Sequence, residues 1–352
     1  MYVRIIRIIG GKLKSNITVS IDNKIKQKLK ELGINQSGLI NELLSKYMDD
    51  ESHTNTSIPI KPEISSANNL SELPACELID IEIEDALLTI SLNRQDVFNA
   101  LNPQLIDELT EVLLWSGHNS VANKGDLMDK DGNKFFRVLI LKGLGKHFCA
   151  GADINWMRDS GAQSFEENME DANRLDRLFY NLWAHPCFTI SLIQGVALGG
   201  GAGLVACVDH VVAINGVKIA MSEIKLGILP AVIGPYVYRK IGSAQFRRLA
   251  MLGSRIKANE AQRIGLVNNI VENESEANET IKKIIGDIYS SAPNGLFRAK
   301  QLALVLDRWN ESDERLREFT IELTSNMRGS AEGQEGLGSF LERRKPDWVP
   351  EL

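Results

Sequence analysis

The stretch that decides the fold runs from Gln194 to Tyr236, QGVALGGGAGLVACVDHVVAINGVKIAMSEIKLGILPAVIGPY. The run leading into it, FTISLIQGV (188–196), is apolar, bounded by His185-Pro186 before and by glycines after, which predicts a buried strand. Gly199-Gly200-Gly201 then opens a small-residue segment, AGLVAC, of helical character. Glycines at a strand-to-helix turn expose backbone N–H groups at a positively polarised helix start. Such groups stabilise an oxyanion as well as a phosphate. Twenty residues past Gly203 stands Glu223, a lone carboxylate in an otherwise apolar neighbourhood. Alone, this stretch also reads as a glycine-rich turn beside a solvated glutamate.

Working outward, Lys146 to Met157 reads KHFCAGADINWM and directly follows a strand-like RVLILKG (137–143). Three motifs now stand in order: F-x-A-G-A-D, Q-G-x-A-x-G-G-G and S-E-x-x-L-G-x-x-P. Together they resemble the crotonase (enoyl-CoA hydratase/isomerase) superfamily, from about Cys76 to Leu352. The run Pro230–Val237 and the Asn155-Trp156-Met157 tail look most like 3-methylglutaconyl-CoA and isohexenylglutaconyl-CoA hydratases. The resemblance implies an α/β fold, a spiral of ββα units with a helical C-terminal region. It also implies an acyl-CoA thioester as substrate, with no separate cofactor, and assembly as a homotrimer or hexamer. It places oxyanion-stabilising backbone donors at Ala150 and Gly200. Ala150, Gly151, Ala152, Asp153 and Gly200 would line the substrate groove, and Glu223 would be the acid/base.

Hydration of an α,β-unsaturated thioester puts negative charge on the thioester oxygen, and two aimed N–H groups lower that barrier. Small residues suit this, since a bulky side chain would block the thioester. The hydratase pattern has two glutamates; Glu223 matches the second, whereas Gly203 stands where the first is expected. One carboxylate can activate water and return its proton, and it can equally shuttle a proton between C2 and C4. The expected function is therefore an enoyl-CoA hydratase-type lyase. The alternatives are a Δ3,Δ2-enoyl-CoA isomerase, or a DNA-binding regulator whose body senses acyl-CoA. Arg158, Lys225 and Arg239 lie in or beside the motifs as candidate partners for a distal substrate carboxylate.

Composition is that of an ordinary globular chain: 352 residues, 43% hydrophobic and 24% charged. No apolar run approaches the roughly 18–20 residues of a membrane span, and MYVRIIRIIGGKLK has arginines breaking its apolar run, so neither a span nor a signal peptide is expected. Cys76, Cys149, Cys187 and Cys207 sit singly, as buried thiols of a cytoplasmic protein do, and the five histidines share no ligand spacing, so no metal is expected. Charge is uneven. Residues 1–47 hold nine Lys/Arg against three Asp/Glu, and residues 48–76 one against five, a basic head on an acidic body.

That head reads as a separate module over residues 1–49. Ile17, Val19 and Ile21 alternate with Asn16, Thr18 and Ser20; a helix follows to Gly33, then a second, GLINELLSKYM (38–48). Strand, helix, turn, helix resembles the ribbon-helix-helix family over residues 14–49. This implies either DNA binding through a two-stranded ribbon or dimerisation alone. Residues 50–75, rich in Ser, Asn, Pro and Glu, read as a flexible linker. The main domain, 76–352, opens with alternating Ile79, Ile81 and Ile83 and a hairpin break at Asp85-Ala86. Asn102-Pro103 caps a helix. Residues 117–134 read as a surface insertion, 164–182 as a long amphipathic helix, and 266–271 as a strand. Helices are expected over 258–265, 275–291, 296–306, 311–327 and 331–342.

Overall fold

The computed structural model describes residues 72–350; the expected ribbon-helix-helix module, most of the linker and the last two residues lie outside them. All described residues fall within one unit, Pro59–Leu352. Its frame is a six-stranded sheet in the order β1 (Ile79–Glu84), β2 (Leu87–Leu92), β3 (Val138–Gly143), β4 (Phe188–Ile193), β6 (His210–Ile214), β9 (Asn269–Val271). The β1–β2 hairpin turns at Asp85, at φ 56°, and every other neighbouring pair is parallel. Parallel strands are covered on both faces, and the sequence pays this demand with near-continuous apolar runs. In β3, Leu139 and Leu141 enter one core while Val138 and Ile140 enter the other. The edge strand β1 is less buried than its alternation suggests: Ile79 is in the core, whereas Ile83 is exposed.

On the first face pack α1 (Pro103–His118), α4 (Phe165–Trp183) and α5 (Gly200–Cys207). The Asn102 side chain accepts from Leu105 N–H and Pro103 is the first helical residue, as the sequence predicts. A capping box between Ser164 and Glu167 starts α4. The expected insertion after Gly117 is not wholly superficial. Ser120 and Val121 are buried where α2 (Val121–Lys124) begins, and only beyond them does the segment become a surface turn, bridged at Met128–Lys134.

The apolar run from Phe188 does not stay in one sheet. Gly195 takes φ 63°, and the chain leaves β4 to begin β5 (Val196–Leu198) in a second sheet with β7 (Lys218–Ala220) and β8 (Ile256–Lys257). The strand expected over 266–271 shortens to Asn269–Val271. The helices α3 (Ile154–Gly161), α6 (Gly234–Leu252), α7 (Ala258–Arg263), α8 (Glu274–Ser290), α9 (Pro293–Leu306), α10 (Asp313–Gly329) and α11 (Ala331–Glu342) complete the fold. Ala277, Ile281 and Ile288 of α8 close the second core.

Arg137, just before β3, is a buried cation whose two terminal nitrogens donate to carbonyls. Its guanidinium donates to the oxygens of Ile288 and Ser291 at the end of α8, at 2.9 and 2.8 Å, and to Trp348 near the C-terminus at 3.0 Å. It also lies over the Tyr289 ring. Among the described residues no helix is long and apolar enough to cross a membrane.

Candidate active site

Three backbone segments meet at the start of α5. Cys149 pairs with β5: its N–H donates to Val196 O at 3.1 Å, and its carbonyl accepts from Leu198 N–H at 3.0 Å. On the other side, Leu101 N–H donates to Gly151 O at 2.7 Å, and Asp153 N–H to Leu101 O at 2.8 Å. Such crossings leave no room for side chains. A Cβ on Gly151, which takes φ 99°, would sit 2.8 Å from Leu198 O, and one on Gly201 2.4 Å from Cys149 O.

Gly199 takes φ 48° and is held to β7 by its N–H on Ala220 O at 2.8 Å. Gly200 is then the first residue of α5, so its N–H has no acceptor within the helix. It lies at the positive end of the helix dipole. The remaining residues of α5 are buried.

The second expected donor is corrected by the structure. Ala150 N–H donates to Phe98 O at 3.0 Å, so it already has an acceptor. Ala152 N–H has none among the described residues. In the bridge between Leu101 and Ala152 it is the flanking peptides of Gly151 and Asp153 that bond Leu101, and Ala152 turns its own N–H to the other side. That nitrogen lies 3.9 Å from where a Cβ on Gly200 would be. The N–H groups left without an acceptor here are therefore those of Ala152 and Gly200, the former two residues along the same motif from the expected Ala150. Only the pairing partner distinguishes Ala150 from Ala152, and the motif itself does not show it.

Glu223 arrives from β7. Leu198 and Ala220 are paired in register, so the residues after β7 lie beside the residues that start α5. A 3-10 turn, Glu223–Leu226, then aims the carboxylate back: Glu223 Oε1 is 3.2 Å from where a Cβ on Gly199 would be. Oε2 is buried with no hydrogen-bond partner. Burial raises the pKa of this carboxyl above the ordinary glutamate value of 4.5. The geometry brings together a carboxylate with one unpartnered oxygen and two N–H groups without an acceptor among the described residues.

Gly203 lies one turn along from Gly200, on the same helix face. No vacancy marks the missing side chain: a Cβ there would meet Ile233 Cγ2 at 2.4 Å and Phe179 Cε1 at 2.9 Å. Phe179 also lies 3.8 Å from a Cβ built on Gly200. Both residues are buried and apolar.

Asp153 is tied down. Its carboxylate caps α3 by accepting from Asn155 and Trp156 N–H, and pairs with Arg94 at 2.8 Å. The Arg94 hydrogen bond, with the backbone donors, lowers its pKa below 3.8. Arg94 also donates to Ala100 O, and Arg94 N–H donates to the side chain of the fully buried Asn99. Arg94, Asn99, Phe179 and Ile233 escaped the sequence reading because each is positioned by a distant segment. Of the candidates for a distal carboxylate, Arg158 pairs with Asp159 and Arg239 lies over the Trp183 ring, whereas Lys225 shares the turn of Glu223.

Comparison with known proteins shows the family. The family model "Enoyl-CoA hydratase/isomerase" matches residues 82–351. The chain is 30% identical over 281 residues to the crotonyl-CoA hydratase of Syntrophomonas wolfei, covering 78% of this chain and 99% of that protein. It is 28% identical to the 1,2-epoxyphenylacetyl-CoA isomerase of Escherichia coli K12, covering 78% and 98%. The crystal structure of an enoyl-CoA hydratase from Shewanella pealeana superimposes with a TM-score of 0.70 at 34% identity, over 77% of this chain and 96% of the other. A second model, "Post-segregation antitoxin CcdA", matches residues 14–72, consistent with a ribbon-helix-helix-like module there.

Proposed function

The chain belongs to the enoyl-CoA hydratase/isomerase family, and on that premise we propose that it adds water to an α,β-unsaturated acyl-CoA, with a 3-methylglutaconyl-CoA-like substrate. The observation that carries this reading is the Glu223 carboxylate, buried with one oxygen unpartnered beside the start of α5. The thioester oxygen accepts from Ala152 and Gly200 N–H and takes up charge as the alkene is attacked. Glu223 removes a proton from water as its oxygen bonds C3, and the proton is returned to C2. Loss of one such donor costs about 10²–10³ in rate in other enzymes.

A second reading, isomerisation of a 3-enoyl-CoA, is favoured by the apolar contacts around Gly203, which offer no group to hold water. Here Glu223 takes a proton from C2 and returns one to C4. The test is a screen of 3-methylglutaconyl-CoA, crotonyl-CoA and 3-hexenoyl-CoA in ¹⁸O-labelled water, read by mass spectrometry. Hydration incorporates one labelled oxygen. Conversion of 3-hexenoyl-CoA without label selects the isomerase, and no turnover of any of the three defeats both readings.

For the head, we infer that residues 14–49 pair with a second copy, presenting Asn16, Thr18 and Ser20 with Lys12, Lys14 and Lys24 to DNA, and join the bodies into a dimer of trimers. A flexible chain of 26 residues, the length of 50–75, has a typical reach of about 25–30 Å, enough for such pairing. DNA retention should weaken steeply with salt. If removal of residues 1–70 leaves the sedimentation profile unchanged, and the full chain ignores DNA at low salt, the head has neither role.

A further inference from the structure

The side chain absent at Gly203 is replaced in space from another element. Ile233, at the entry to α6, places its Cγ2 2.4 Å from where a Cβ on Gly203 would be, closer than any real Cβ tolerates. Residues 203 and 233 therefore exclude one another: a side chain projects from α5, or Ile233 fills the same volume, but not both. Phe179 completes the wall, touching the positions of both Gly200 and Gly203. The wall continues the helix face that offers the Gly200 N–H and lies next to the residue, Gly199, that Glu223 approaches.

We propose that Ile233 is a specificity-determining residue that sets the size of acyl group accepted at the reacting carbons. The inference rests on the acyl-CoA reading above and deepens it. An acyl chain whose thioester oxygen is held by Ala152 and Gly200 runs along α5 past position 203, where Ile233 stands with Phe179 fully buried behind it. The wall also makes a second carboxylate from position 203 impossible while Ile233 is present, so proton transfer is left to Glu223 alone.

Binding of unreactive, saturated esters tests this without any turnover. Calorimetry gives Kd for butyryl-CoA and for the branched isovaleryl-CoA, and their ratio is the readout. One methyl-sized change in an apolar pocket discriminates about 10–200-fold. Ile233→Ala should shift the ratio at least about 10-fold toward isovaleryl-CoA, with Ile233→Val between it and the parent. Gly203→Ala should shift the ratio the other way. Gly203→Ala should shift the ratio much less in the Ile233→Ala background than in the parent, because the two positions share one volume and are not additive. A ratio within about twofold of the parent in Ile233→Ala overturns the proposal, as does strict additivity of the two substitutions. Should Gly203→Ala fail to fold, the two Ile233 variants still decide. If the parent binds neither ester, the acyl-CoA reading itself has failed, and this inference falls with it.

Discussion

Asp153 and Glu223 lie in neighbouring motifs at one site and are treated in opposite ways. Asp153 is saturated: Arg94 on one oxygen, the backbone of α3 on the other, and a pKa held below its ordinary value. Glu223 is left with a buried, unpartnered oxygen and a pKa raised by burial. A carboxylate that satisfies all its bonds holds structure. One denied its bonds has free energy to gain by taking or giving a proton. The motifs alone do not separate the two roles; their partners do.

The largest effect expected from this contrast is on turnover. Glu223→Gln should fold and bind CoA esters yet lose about 10²–10⁴ in kcat, measured by initial rates on whichever substrate the screen selects. Retention of most activity would remove Glu223 from the chemistry. Asp153→Asn and Arg94→Met should instead show mainly in stability, at about 1.5–3 kcal/mol each, the range for a charge-assisted hydrogen bond. Urea unfolding measures this. A double-mutant cycle with coupling near zero would show that the pair does not hold the motif.

The two carboxylates should also differ in the sign of their pH dependence. Asp153, lowered in the folded state, contributes stability above the ordinary Asp value of 3.8 that is lost as pH falls through its folded value. Asp153→Asn is then less stable than the parent near neutrality, and the gap closes in acid. Glu223, raised in the folded state, contributes stability below the ordinary value of 4.5 that is lost as pH rises through its folded value. Glu223→Gln should therefore be slightly more stable than the parent at neutral pH and equal to it in acid. Thermal melts across the two ranges check both, and shifts of the same sign in the two variants would break the comparison. The smallest effect is expected outside this site: removing residues 1–70 should leave kcat/KM within about twofold, because the match to the enzyme family begins only at residue 82.

Much of this was legible in the sequence, for reasons that differ by region. The strands around Val138 and Phe188 are apolar because both faces are covered, and the pattern says so directly. The starts of α1 and α4 are written in Asn102-Pro103 and Ser164–Glu167, where a local hydrogen bond decides. The C-terminal helix Ala331–Glu342 matches its expected span for the same local reasons. What could not be read depends on contacts distant in the chain. Ala150 gives way to Ala152 as donor because Phe98, some fifty residues earlier, occupies the first N–H. Ile83 alternates correctly yet is exposed, because a strand's place at the sheet edge is a property of topology rather than of its own residues. The run from Phe188 splits between two sheets at Gly195, a change of direction that apolar content does not encode.

Arg137 has a consequence for how the chain is made. Its two terminal nitrogens find their acceptors only when the end of α8 and the carbonyl of Trp348 are both in place. During synthesis β3 leaves the ribosome some two hundred residues before Trp348 does, and until the end of α8 follows it the guanidinium has none of these acceptors. The Arg137 cluster is therefore completed only once Trp348 has emerged, and a nascent chain stalled before that residue would hold α8 without this last clasp.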